Sequence, residues 1–142
     1  MSTHTLPPFH LAIPVTDLQQ ACDFYGELLG CEQGRSDTHW IDWNFFGHQL
    51  VTHQVDSMPT AIKPNEVDSK AVPVPHFGAV LPMEQWKAIT GRLKNARVAF
   101  VIEPYIRFEG QAGEQATCFF YDPSGNALEL KSFNDINALF KG

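Results

Sequence analysis

Cysteine is scarce: the 142 residues contain three, Cys22, Cys31 and Cys118. Their odd number and the lack of any CxxC spacing exclude a disulfide frame and a zinc knuckle, and suit reduced thiols in a cytoplasmic protein. Cys22 falls in a helical pattern and Cys118 in a strand pattern, where a free cysteine serves as a small core residue. Charge is sparse too, at 18% with a net charge of −6. No basic run or stripe occurs, so the footprint for nucleic acid is missing. No apolar run approaches the roughly 20 residues a membrane span needs. The start, MSTHTLPPFH, has no cationic segment leading into an apolar one, so no signal peptide is expected. The glycines of GQAGEQ and GEQATC lack P-loop order, and no Ser-His-Asp arrangement can be drawn. What the chain does have is 44% hydrophobic content, enough for one globular domain or two small modules packed as one unit.

Along the chain the pattern repeats itself. FHLAIPV (9–15) reads as a strand. TDLQQACDFYGELLG (16–30) reads as a helix, with Thr16 or Asp17 as cap and an apolar stripe of Leu18, Ala21, Cys22, Tyr25, Leu28 and Leu29. Gly30 stands where a left-handed C-terminal residue is wanted. Strands are expected around 34–38, at 40–46 and at 48–54, with Gly47 turning the last pair. The segment 55–75 is polar, carries Pro59, Pro64, Pro73 and Pro75, and has no period, so it reads as a connector. The order then restarts, with a strand at 76–82, a helix at 83–96 and a strand at 97–103. A mostly looped stretch follows, then strands at 117–122 and 127–133 and a short helix or tail. Two β-α-β-β-β passages imply an internal repeat of architecture. DPSGN (122–126) is a turn, with Asp122, Pro123 and Gly125 in turn-forming roles.

The stretches FHLAIPVTDLQQACDFYGELLGC and FYDPSGNALELKSF, in this order and at this length, resemble the vicinal-oxygen-chelate superfamily. This is the glyoxalase, bleomycin-resistance and extradiol-dioxygenase group, and the resemblance covers essentially the whole chain. It implies an α+β fold of two βαβββ modules forming a cup-shaped sheet. The modules would span about 7–54 and 76–133 of a single 1–142 domain, joined by the 55–75 connector. It also implies metal ligands on the first and last strands of the modules, pointing into the cup, and a homodimer.

Strand parity reaches the same residues by a separate route, since side chains alternate between faces. His10, Ala12 and Pro14 oppose Phe9, Leu11 and Ile13. His76, Gly78 and Val80 oppose Phe77, Ala79 and Leu81. Ala127, Glu129 and Lys131 oppose Leu128, Leu130 and Ser132. In each strand the bulkier face can cover a helix, while the other carries a ligand-type residue among mostly small neighbours. His10, His76 and Glu129 make a two-histidine, one-carboxylate set that leaves coordination positions open. In the superfamily these positions are metal ligands, for a divalent ion such as Fe2+, Mn2+, Ni2+ or Zn2+. The family's fourth ligand position aligns with Val51, which cannot bind a metal; His53, of the same parity, is a secondary candidate. His4, His39 and His48 default to the surface.

An open-faced ion can chelate two neighbouring oxygens of a small substrate and stabilise an enolate or alkoxide. Lyase, isomerase and dioxygenase chemistry all fit that description. The P-x-G-x3-E part of the ring-cleaving signature is intact at Pro123, Gly125 and Glu129. Its tyrosine position, however, is Phe119, and the window 110–112 lacks the histidine, so ordinary catechol cleavage is not expected. Tyr121 shares the parity of Phe119 and is the substitute candidate. Arg107 and Glu109, before the penultimate strand, are candidates to clamp a carboxylate and to supply a base. The catalytic set is therefore Glu129, Arg107 and Tyr121. Trp43, Phe45, Phe119 and Tyr121 are expected to form wall or core. The competing function is metal-free sequestration of a small molecule, as in bleomycin resistance. A purely structural or interaction domain is the third reading, and no charge block supports it.

Overall fold

The computed structural model describes residues 6–60, 63–67 and 70–141, and the chain divides into two compact units between Met58 and Pro59. His4, expected at the surface, lies outside the described residues.

The first unit begins with β1 (His10–Val15). Asp17 then caps a short α1 (Leu18–Ala21), its carboxylate accepting from the N–H groups of Gln19 and Gln20 at 2.8 and 3.1 Å. The helix does not continue as α. Cys22–Leu28 is a π-helix, and Leu29 N–H donates to Phe24 O at 2.9 Å. Each π turn holds more residues than an α turn, so the expected stripe drifts. Ala21, Tyr25 and Leu29 are buried as expected, but Phe24 joins them, while Cys22 and Leu28 are only half-buried. Gly30 takes the left-handed conformation expected of it, at φ 78°. β2 (Glu32–Ser36), β3 (Trp40–Phe45) and β4 (His48–Gln54) follow, and the sheet order is β1-β4-β3-β2. β1 runs parallel to β4; the other pairs are antiparallel. Trp43, 2% exposed, packs near Tyr25 with ring centroids 6.3 Å apart and donates its indole N–H to Thr52 Oγ1. Each such large buried side chain contributes about 1.5–3 kcal/mol by leaving water.

The second unit repeats this topology: β7 (Phe77–Leu81), α2 (Met83–Asn95), β8 (Phe100–Arg107), β9 (Gln115–Tyr121) and β10 (Ala127–Phe133), in sheet order β7-β10-β9-β8. Trp86, Ile89, Thr90 and Leu93 form the buried stripe of α2 at helical spacing. Trp86 ties that helix to the sheet by donating to the Leu130 carbonyl at 2.9 Å. The closing segment Ile136–Phe140 is a 3-10 helix.

Two expectations are corrected here. The loop after residue 103 is shorter than expected, confined to 108–114, because β8 runs on to Arg107 and β9 begins at Gln115. β8 is an edge strand, where Pro104 costs no ladder hydrogen bond, and its register with β9 shifts twice. The connector is not wholly irregular either. It contains an antiparallel pair, β5 (Asn65–Val67) and β6 (Lys70–Val72). Val72 is buried against Ile102 and Phe119, with Tyr105 beside them, and a packing anchor one residue long leaves no period to read. No helix among the described residues is long and apolar enough to cross a membrane.

Candidate metal centre

In the second unit, β10 lies between β7 and β9. The parallel register places Glu129 beside Gly78. A Cβ at Gly78 would run into the Glu129 carbonyl, so glycine is what allows the two strands to close. β7 begins one residue after His76, and this brings the imidazole to the carboxylate. His76 Nε2 and Glu129 Oε1 lie 3.3 Å apart, with side chains 29% and 15% exposed.

Both groups are held from behind. His76 Nδ1 lies 2.7 Å from the Pro73 carbonyl, which can only accept, so Nδ1 carries the proton. Nε2 of the neutral ring then presents a lone pair towards a carboxylate oxygen. A metal ion between them would accept both lone pairs. Two donors each about 2.1 Å from a divalent ion and about 90–110° apart lie about 3.0–3.4 Å from one another, so the observed spacing suits an ion. Thr117 donates to the other carboxylate oxygen, Oε2, at 2.6 Å. The Phe119 ring meets the imidazole edge-to-face, centroids 5.0 Å apart. A tied Nδ1 and an anchored carboxylate are the supports that metal-binding residues usually have.

The pair opens onto a cavity of about 240 Å³ in the same unit, which Arg107, Lys131, Thr117 and Phe119 also line. Arg107 ends β8 rather than standing in a loop. Glu109 is not part of that lining; it borders a separate groove with Trp86 and Lys94. Tyr121 is 44% exposed at the end of β9. It shares the face of Phe119 but is not among the residues lining the cavity. Trp43, Phe45 and Phe119 are buried, as expected of wall or core residues.

In the first unit, His10 opens β1 on its exposed face, with Ile13 and Val15 buried on the opposite one. Its Nδ1 lies 2.8 Å from Gln49 Oε1, so this ring too has Nδ1 tied to an acceptor and Nε2 left to donate a lone pair. Val51 is buried, and His53 is exposed on β4. His39 is exposed; His48, also exposed, accepts the Phe9 N–H at Nδ1, 2.8 Å away. Among the described residues no group of three or more His, Cys, Asp and Glu side chains is gathered to hold a metal. The structure thus brings together His76 and Glu129. The supports Thr117 and Pro73 were missed from sequence; for Thr117 the signal was there, since it shares strand parity with Phe119.

None of the three cysteines is among the described residues lining the cavity. Burial pushes Cys118 up to about 12 and Cys31 likewise to about 12. Cys22 is also raised, by burial first and then by Asp23 and Glu27. None is poised as a thiolate nucleophile.

Two units of the same βαβββ topology, each with a four-stranded sheet, define the class of fold. Accordingly, the chain belongs to the Glyoxalase/Bleomycin resistance protein/Dioxygenase superfamily, whose family model matches residues 8–130. Among known proteins, Glutathione transferase FosA of Serratia marcescens is 28% identical over 126 residues, covering 85% of this chain and 77% of FosA. A glyoxalase/bleomycin resistance protein/dioxygenase from Alicyclobacillus acidocaldarius is 35% identical, with a TM-score of 0.70 over 94% of this chain and 96% of that one. The fosfomycin resistance protein FosX of Listeria monocytogenes shares the fold at 18% identity, with a TM-score of 0.68 over 94% of this chain and 98% of its own. A glutamate-to-glutamine mutant of FosX was crystallised with Mn(II) and 1S,2S-dihydroxypropylphosphonic acid.

Proposed function

We propose that the chain is a divalent-metal-dependent enzyme acting on a small oxygenated organic molecule, with His10, His76 and Glu129 as metal ligands. The observation that carries this reading is the 3.3 Å apposition of His76 Nε2 and Glu129 Oε1 with both groups tied from behind. His10, with its own tied Nδ1, is the third ligand; it arrives from the N-terminal unit, either of the same chain or of a second copy in a homodimer. Mn(II) in the FosX mutant structure supports a divalent metal, and the name of FosA supports a transferase-like activity as much as a glyoxalase-like one.

When bound, the ion supplies a Lewis acid that polarises a substrate oxygen. The chain's own residues do the rest. Pro73 fixes the His76 ring, and Thr117 holds Oε2 so that Oε1 stays directed at His76. Val72, Ile102 and Phe119 form an apolar wall that sheds water. Arg107 orients the substrate from the cavity lining. Glu129 is the one carboxylate among the described lining residues, and Tyr121 lies outside that lining. That scarcity of proton-transfer groups favours a second reading, sequestration of a small molecule in the same cavity.

The test is to load the purified protein with Mn(II), Fe(II), Ni(II) or Zn(II). Turnover is then measured on fosfomycin with and without glutathione, on a methylglyoxal–thiol adduct, and on catechols with oxygen. Metal-dependent turnover of any of them supports the enzyme reading. Metal-independent binding without turnover supports sequestration.

A further inference from the structure

The chain as a whole is acidic, with 16 Asp and Glu against 10 Lys and Arg. The cavity beside His76 reverses that balance. Lys70, Arg107 and Lys131 line it, and Glu129 is the one described carboxylate there, already engaged by Thr117 and His76. A cleft lined by one sign of charge focuses its field on an oppositely charged ligand.

The cations are also ordered along the sheet. Register places Glu129 opposite Phe119, Lys131 opposite Thr117, and Thr117 opposite Tyr105. Arg107 lies across from Gln115, one same-face step further on. Successive same-face rows are about 7 Å apart. The Glu129 row is thus the metal end, the next row carries Lys131, and the third carries Arg107. From above, the β5–β6 hairpin adds Lys70, whose ammonium lies 5.1 Å from the Tyr105 ring centroid, over the row whose backbone carries Lys131; the Lys131 ammonium itself lies 5.5 Å from the ring centroid of Phe133, the next residue on its face. The hairpin is docked there by Val72.

We propose that Lys70 and Lys131 form a subsite for an anionic head group, a phosphonate, phosphate or carboxylate, one row along from the metal end. Lys70 is the specificity-determining residue, delivered by the hairpin in the connector. This rests on the reading of the cavity as the substrate site. At about 240 Å³ the cavity holds about eight waters' worth of volume. The ligand is therefore compact, with its anion only a few atoms from the oxygen that faces His76 and Glu129. Two ammonium groups accept any of the three anions; the doubly charged phosphonate and phosphate gain more from both than a carboxylate does.

The test uses the full chain and three probes, methylphosphonate, inorganic phosphate and acetate, titrated by calorimetry, with Mn(II) affinity measured on the same samples. Wild-type protein should bind methylphosphonate and phosphate more tightly than acetate. Lys70→Gln and Lys131→Gln should each weaken methylphosphonate by about tenfold, while Lys87→Gln, outside the cavity, should not. Lys70→Gln should leave Mn(II) affinity unchanged. Acetate as the tightest probe would retain the subsite and assign it to carboxylates. Absence of anion binding at millimolar concentration, or equal binding in all variants, would overturn the proposal even if Mn(II) binds. Anion binding without any Mn(II) binding would sustain the subsite and remove the metal-enzyme reading.

Discussion

Replacing Thr117 with valine removes one hydroxyl and changes little else in shape. In the native chain that hydroxyl donates to Glu129 Oε2 at 2.6 Å, a short bond to a carboxylate. Hydrogen bonds to charged groups contribute about 1.5–3 kcal/mol, which at about 1.4 kcal/mol per tenfold corresponds to about 10–150-fold in an equilibrium constant. The bond does not hold the strand in place, since β9 and β10 are paired from Ala127 to Phe133 by their backbones. The loss should therefore fall on the carboxylate's orientation. Mn(II) affinity is expected to drop by about 10–100-fold, the range for supports behind metal ligands, with the melting temperature lowered by only a few degrees. Titration of Mn(II) followed by its EPR signal reads the first quantity and thermal unfolding reads the second. Thr117→Ser, which keeps the hydroxyl, should restore most of the affinity. A Thr117→Val variant that binds Mn(II) within twofold of wild type would refute the idea that this bond aims Glu129 at a metal.

Gly78→Ala should be far more damaging, because the added methyl meets the Glu129 carbonyl; the expected result is loss of Mn(II) binding with a marked fall in melting temperature, both readable on one purified sample. Asp122→Ala removes the acceptor of the Ser124 and Asn126 N–H bonds, both 2.9 Å, and should destabilise the second unit by about 3 kcal/mol in urea unfolding. Cys31 and Cys118 have pKa values raised to about 12 from 9.0, so above pH 9 the unfolded chain loses thiol protons that the folded chain keeps. Stability should hold steady at neutral pH and fall as pH rises from about 9 towards 12; a Cys31→Ala, Cys118→Ala double variant should show a shallower fall. Trp86→Phe deletes the bond to the Leu130 carbonyl and should cost about 1 kcal/mol, measured as a shift in urea midpoint.

The repeat of modules was legible because each strand had a period and each helix a stripe. Asp17 as cap, Gly30 as terminator and the alternation in ALELKSF were local signals, and each corresponds to a local structural cause. The meeting of His76 with Glu129 was legible through parity, since a two-residue period says which face a side chain takes. What was hidden depended on partners far along the chain. The widening of the helix into a π-helix at Cys22–Leu28 leaves Cys22 and Leu28 only half-buried, which the α spacing did not announce. β8 contains Pro104 and reads as loop until its place at the sheet edge is known. The β5–β6 hairpin is fixed by the contacts of Val72 with Ile102 and Phe119, not by its own sequence, so the two lysines of the cavity were invisible as a pair. Tyr121 shows the limit of parity: it has the right face, yet the strand ends and leaves it 44% exposed.

The central claim is that His10, His76 and Glu129 share one divalent ion. It is tested most directly by metal analysis of protein purified without chelators, as wild type and as His10→Ala, His76→Ala and Glu129→Ala variants, each checked for folding by circular dichroism. The account predicts one metal per chain in the wild type and its loss in all three variants. Full metal content in Glu129→Ala, or a wild type that takes up no metal under any loading condition, would contradict it.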